Sequence, residues 1–274
     1  MKLDKTPLRM DFLRKKLRFV RQTMEQQQID MWITFSRGGN EDPMVHDLRS
    51  ADLTWRSAAI IGQDGSKTAI VGNLDVEAVE QSRFYDEVYG YGSEGAVPKL
   101  RQHVRRKRPG KIAVNTSYDE GAADGLTSGM AQYLKKALGS YSKRLVSAED
   151  LAIALRSRLI PEEVRLIKKA IRECEKIYDK VQDYIKPGRK DKDVHDYAHK
   201  LLRERALETA WAFERCPSVN VGNNVAGHIG YRGTRIRNGD FVKLDFGVRY
   251  EGYCSDSPRS QRNMQNPMED WTRS

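Results

Sequence analysis

The chain has 274 residues, 31% of them charged, and a net charge of +10; its mean hydropathy is −0.70 and its pI about 9.4. That length allows two domains with substantial cores, and no apolar run approaches the ~20 residues needed to span a bilayer, which excludes a membrane-spanning class. Cys174, Cys216 and Cys254 are widely spaced and form no CxxC pair, which argues against a disulfide framework and predicts a reducing, cytoplasmic setting.

The start, Met1-Lys2-Leu3-Asp4-Lys5, leads into a charged amphipathic segment, so no secretory leader is expected. Leu13, Leu17, Val20 and Met24 recur at helical spacing and predict a helix over 7–28. Met31 to Phe35 then reads as a buried strand, and 55–61 with 67–71 as a hairpin around Gln63-Asp64-Gly65-Ser66. A helix near 75–83, a strand near 86–91, a helix at 97–107, a strand at 111–115 and a helix over 122–138 follow. This alternation implies α/β layers for the first ~145 residues. Gly90, Gly92 and Gly95 do not open a strand–turn–helix unit, so no phosphate cradle is expected. Arg101, Arg105, Arg106, Lys107, Arg108 and Lys111 form the densest basic run. Without interleaved aromatics it reads as a solvated helix end, where cations favour the carbonyl pole, and not as a nucleic-acid surface.

A domain boundary is expected near 145–160, giving domains over 1–150 and 151–261 and a disordered tail over 262–274. Pro161 opens a new helix over 161–186, and Pro187-Gly188 stops it. A second helix is predicted from 191 to 207. Its His195 and His199 share a face, but no Glu lies between them, so the zinc-protease pattern fails and they read as surface or packing histidines.

The stretch Val242-Lys243-Leu244-Asp245-Phe246-Gly247-Val248-Arg249-Tyr250-Glu251-Gly252-Tyr253-Cys254-Ser255-Asp256 reads as a β-hairpin with one aspartate on each strand. With Tyr250 and Glu251 at the tip, Asp245 is expected directly opposite Asp256. Opposed residues share a face with Cβ atoms roughly 4.5–5.5 Å apart. Two ionised carboxylates that close repel unless one is protonated or a cation lies between them. Two readings remain: a solvated pair on an exposed hairpin, or a divalent-metal site.

Leu244-Asp245-Phe246-Gly247, Gly252-Tyr253-Cys254-Ser255-Asp256 and Arg259 resemble the pita-bread metallopeptidases, the family of Xaa-Pro aminopeptidases, prolidases, creatinases and methionine aminopeptidases. The segment Ser218-Val219-Asn220-Val221-Gly222-Asn223-Asn224-Val225-Ala226-Gly227-His228 is similar to the family stretch that ends in an active-site histidine. His228 precedes Asp245 by seventeen residues, the spacing of the aminopeptidase P branch. A lone histidine is otherwise more often structural or exposed than catalytic. The resemblance implies a creatinase-like α/β amino-terminal domain followed by the first half of an α+β pita-bread catalytic domain. It implies two divalent ions, manganese, cobalt or zinc, with Asp245 chelating one and Asp256 bridging both. It implies that His228 hydrogen-bonds the substrate as charge develops on the scissile carbonyl oxygen. The implied activity is hydrolysis of the bond before proline in a peptide, and the implied assembly is a homo-oligomer.

Members of the family carry a further histidine and two glutamates as ligands after the aspartates. Eighteen residues follow Asp256 here, with no His and only Glu269. Three of five expected ligands are therefore missing, and the expectation is a carboxy-terminally truncated chain that is inactive alone. The alternative is a non-catalytic pita-bread module that binds protein or nucleic acid, which the basic pI allows. Where the family continues past the arginine with an apolar β-strand, Arg259 is followed here by the polar run Ser260-Gln261-Arg262-Asn263-Met264-Gln265-Asn266-Pro267, poor in strand formers, and Pro258 removes a ladder donor.

Overall fold

The computed structural model of the chain describes residues 6–38, 53–222 and 229–262. The chain divides into two compact units, Met1–Ile160 and Pro161–Ser274.

The first unit is built on a mixed sheet. Its elements are α1 (Thr6–Gln27), β1 (Met31–Ser36), β2 (Ser57–Gly62), β3 (Lys67–Gly72), α2 (Val76–Gln81), β4 (Glu87–Tyr91), α3 (Val97–Lys107), β5 (Ile112–Val114), α4 (Ser128–Leu138), β6 (Leu145–Ser147) and α5 (Glu149–Ser157). Among the described residues the strand order is β4-β3-β2-β1-β5-β6. The β1–β2 and β2–β3 pairs are antiparallel, while β3–β4, β1–β5 and β5–β6 are parallel.

Every residue of the central strand β1 is buried, because both faces of the sheet are covered. Trp32 packs on one face with Leu17, Val20 and Met24 of α1 and Leu151 and Leu155 of α5. Met31, Ile33 and Phe35 point the other way, onto Leu100 and Val104 of α3 and Met130 and Leu134 of α4. Each such fully buried side chain contributes roughly 1.5–3 kcal/mol. The indole Nε1–H of Trp32 donates to Asn115 Oδ1 at 2.7 Å, and Asn115 Nδ2 donates to Thr34 Oγ1 at 3.2 Å, so the polar groups inside this core are matched.

The division falls after Ile160, at the close of the 145–160 stretch, and α5 buries Leu151, Ala152 and Leu155 in the core built on α1. One expectation changes here. The helix expected over 122–138 begins at Ser128; Gly121–Ala123 forms a separate 3-10 turn that Glu120 caps by accepting from Ala122 N–H. The basic run behaves as a solvated helix end. Arg106 pairs with Glu87 at 2.6 Å, Lys107 with Asp64 at 2.9 Å, and Arg101 donates to the Ala137 carbonyl at 2.6 Å.

The second unit contains α6 (Pro161–Tyr184), α7 (Asp191–Glu204), β7 (Glu208–Thr209), β8 (Ser218–Val221), β9 (Phe241–Phe246), β10 (Val248–Tyr250), β11 (Tyr253–Cys254) and β12 (Ser257–Arg262). Among the described residues these strands form two sheets, β11-β10-β7 and β12-β9-β8. Cys174, Ile177, Tyr178 and Val181 of α6 and Val194, Ala198, Leu201 and Leu202 of α7 pack with Val219, Val242, Leu244 and Phe246. The polar run after Arg259 does form a strand: Ser257–Arg262 pairs with Phe241–Phe246 along its length. β12 lies at the sheet edge, where a proline's missing donor is tolerated, so Pro258 does not stop it. Residues 263–274 of the predicted tail lie outside the described residues. No helix among the described residues is long and apolar enough to cross a membrane.

Candidate metal centre

β9 alternates in burial, with Val242, Leu244 and Phe246 buried and Phe241 and Lys243 exposed; Asp245, half-buried, shares the outward face. Pattern and pleat agree, since successive side chains point to opposite sides of a strand. The inward face is held by Tyr178 of α6. Its hydroxyl donates to the Leu244 carbonyl at 3.0 Å and contacts the Ser257 carbonyl, joining β9 to β12. Arg259 lies over the Tyr178 ring at 4.8 Å and 3.7 Å from Glu175. It therefore belongs to the helix side of the sheet, away from the aspartate face. Burial pushes the Tyr178 phenol well above its ordinary range, with nearby Cys174 and Asp245 adding to the shift. The phenol therefore stays protonated and able to donate.

The long hairpin differs from its expected register. Arg249 pairs with Cys254 and Tyr250 with Tyr253, so Glu251 and Gly252 form the tip. Both have positive φ, 47° and 86°, as a two-residue type I′ turn requires. The same register runs on through the Ser255 N–H donating to the Val248 carbonyl at 2.9 Å and the Ser257–Phe246 pair. Asp245 thus faces Pro258, and Asp256 is its diagonal neighbour instead of its direct one. Diagonal neighbours are ~7–8 Å apart, which relieves the direct repulsion. It also leaves room for an ion bound ~2.0–2.6 Å from each carboxylate.

Gly247 and the Ser255–Asp256 pair form the joint where the ribbon passes from one sheet to the other. A Cβ at Gly247 would lie 2.3 Å from the Ser255 carbonyl oxygen, so only glycine fits this close approach. Asp256 is exposed at the joint, and Cys254 turns its Sγ to the Ala210 carbonyl at 3.6 Å.

On the other side of β9, Ser218 is the direct partner of Asp245, and Asn220 of Lys243. The alternation Ser218-Val219-Asn220-Val221 places Ser218 and Asn220 on the aspartate face and Val219 in the core. The Ser218 hydroxyl donates to the Ile229 carbonyl at 2.7 Å, and Asn220 Nδ2 donates to Ser218 Oγ at 3.2 Å. Asn220 Oδ1 is buried without a hydrogen-bond partner. The predicted His228 lies outside the described residues. The ends of its segment are tied to the sheet: Gly222 N–H donates to the Phe241 carbonyl at 2.8 Å, and Val219 N–H to the Gly230 carbonyl at 2.7 Å.

His195 and His199 are packing histidines and not surface ones, 4% and 3% exposed. Their rings lie 4.4 Å apart, His195 against Tyr231 and His199 against Phe213. Burial lowers the pKa of both.

The residues present fit part of a divalent-ion site. The two carboxylates offer oxygen donors, the type that hard cations accept. Among the described residues no group of three or more His, Cys, Asp or Glu side chains could hold a metal, so Asp245 and Asp256 do not make a closed site by themselves. Sequence reasoning quoted Ser218 and Asn220 without giving them a role. Polar residues at alternate positions of a Val-containing strand were the available signal.

Residues 165–268 match the model of metallopeptidase family M24. Over that segment the chain is similar to the M24 metallopeptidases. A Mycoplasma pneumoniae protein provisionally named a Xaa-Pro aminopeptidase is 27% identical over 139 residues, covering 50% of this chain and 36% of that protein. An uncharacterised Staphylococcus aureus peptidase is 24% identical over 206 residues, covering 74% of this chain and 54% of the peptidase. The chain therefore spans between about a third and a half of the length of these curated relatives. Among solved structures, a Xaa-Pro dipeptidase from Bacillus anthracis superposes with a TM-score of 0.69 at 20% identity, covering 94% of this chain and 67% of that one. Dipeptidase PepE from Mycobacterium ulcerans gives 0.70 at 19% identity, covering 96% and 67%. At these identities the superpositions establish the fold alone: the chain has the pita-bread architecture over the part it spans.

Proposed function

We infer that this chain serves a metal-dependent peptidase of the aminopeptidase P or prolidase type, hydrolysing the peptide bond before proline. The observation that carries this reading is Asp245 on the outward face of β9, opposite Pro258 and two positions in register from exposed Asp256, on a strand whose other face is closed by Tyr178. Divalent ions, manganese, cobalt or zinc, would supply Lewis acidity and water activation when bound. Asp245 and Asp256 would hold them, and His228 would donate a hydrogen bond to the scissile carbonyl oxygen as it gains charge. Two carboxylates leave most coordination positions of such an ion to other donors. Binding by these residues is therefore expected to be weak, in the range of roughly 10⁻⁴–10⁻³ M seen at the least charged cation sites.

Mn²⁺ titration followed by loss of the free-ion paramagnetic signal tests the site, with hydrolysis of an Xaa-Pro peptide assayed in the same samples. The expected result is Mn²⁺ binding by the parent chain that disappears in the Asp245→Ala, Asp256→Ala double variant, with any hydrolysis disappearing alongside it. Equal Mn²⁺ binding by parent and double variant, or no binding by either, overturns the reading.

A further inference from the structure

A cavity of about 50 Å³ lies between β4 and α3 in the first unit, lined by Tyr89, Lys99, Gln102, His103 and Arg106. Four of these side chains form one stripe of α3, since successive members are one to three positions apart and the set follows the i, i+3, i+4, i+7 spacing of a helix face. One water needs about 10–15 Å³ of such space, so the cavity admits a few waters or one small ion.

Its lining is one-sided in hydrogen-bonding character. Lys99 and Arg106 can only donate. The Arg106 guanidinium donates to His103 Nδ1 at 3.4 Å, to the Tyr89 hydroxyl oxygen at 3.2 Å and to Glu87 at 2.6 Å. Because arginine offers no lone pair, Nδ1 must accept, and the one proton of the neutral ring sits on Nε2. Among the described residues that Nε2–H has no partner, although His103 is only 4% exposed. The Lys99 ammonium and the Gln102 amide are likewise unpaired among them. Burial first, then Arg106, pushes the His103 pKa below its ordinary value, with Lys107 adding to the push and Glu87 and Asp64 opposing it. Among the described residues no carboxylate lines the cavity: Glu87 is engaged by Arg106 and Asp64 by Lys107. A cluster of unmatched donors with a surplus cation and no acid is the complement of an anion.

We propose that this cavity binds one small tetrahedral oxyanion, phosphate or sulfate, with Lys99 and Arg106 supplying charge and the His103 Nε2–H and the Gln102 amide supplying directed hydrogen bonds. Such an ion presents acceptor oxygens on every side, so it can engage donors that converge from several directions. The site is made by side chains of one helix stripe and is independent of the peptidase reading, which stands or falls on other residues.

The test follows the assigned His103 imidazole by NMR in the full chain, with sulfate exchanged against chloride at constant ionic strength and phosphate run as a second series. Sulfate is expected to shift the His103 signal saturably and to raise its titration midpoint by about one pH unit, because a neighbouring negative charge favours the imidazolium. Phosphate is expected to saturate the same signal and to compete with sulfate. Lys99→Ala should weaken binding of either ion about tenfold, the loss of one charge-assisted contact, and Lys99→Glu should abolish it. Lys99 is half-buried and unpaired, so both variants are expected to melt with the parent. A response that is linear in sulfate, one that chloride reproduces, or equal affinity in the parent and Lys99→Glu overturns the proposal.

Discussion

The two units use their sheets differently. In the first, β1 is buried on both faces, and the helices of either side share its alternate residues: Trp32 faces α1 and α5, while Ile33 and Phe35 face α3 and α4. In the second, β9 buries only Val242, Leu244 and Phe246, and its other face carries Lys243 and Asp245. A sheet enclosed on both sides can accept no charged residue without a matched partner. A sheet covered on one side can place carboxylates where an ion reaches them. The candidate metal centre therefore belongs to the second unit because the outward residues of β9 are left out of its hydrophobic core.

This contrast can be broken at several points. The largest effect is expected at Trp32, fully buried and hydrogen-bonded to Asn115. Trp32→Ala should destabilise the first unit by about 3–5 kcal/mol in urea denaturation, and a cost under 1 kcal/mol would contradict a core filled from both sides. Next is acid sensitivity. Burial first, then His195 and Arg203, push His199 down to about 4, while burial lowers His195 against the opposing pull of Asp196. Below the ordinary value of 6.5 the unfolded chain takes up protons that the folded one refuses. Stability from this pair is thus fully present above about pH 6.5 and falls as pH drops towards 4. His199→Phe should flatten that slope in melts run between those pH values; an unchanged slope would assign it elsewhere.

A smaller effect is expected on the clamp beneath the aspartate face. Tyr178→Phe removes the hydroxyl bonds to the Leu244 and Ser257 carbonyls and should cost about 1–2 kcal/mol, with Mn²⁺ binding weakened because β12 is loosened from β9. The smallest change in stability belongs to the outward face itself. Asp256→Asn, at an exposed position, should alter stability by no more than about 0.5 kcal/mol while reducing Mn²⁺ binding. A large loss of stability there would mean that the carboxylate serves the fold instead of a ligand.

Much of the fold was legible along the chain. The Leu13, Leu17, Val20, Met24 period yields α1, and the Asp64-Gly65 turn separates β2 from β3. What failed was local geometry decided by competing turns and neighbours. The hairpin tip was expected at Tyr250–Glu251, but Gly252 adopts positive φ without a Cβ penalty and draws Glu251 into the same region, moving the register by one position on each strand. β12 was missed because Ser260 and Arg262 are weak strand formers, and pairing with β9 overrides that preference. His228 was legible only through spacing and resemblance.

By itself the sequence determined which residue types are available for chemistry, Asp245 and Asp256 flanking a glycine turn, and which helix faces must be buried, because both follow from periods of two and 3.6 along the chain. Only the tertiary structure decided that the aspartates lie diagonally, that Arg259 turns to the helix side, and that Asn220 lies on the aspartate face with an unmatched oxygen. Those facts depend on strand register and on which face the helices cover, and both are set by contacts between residues far apart in sequence.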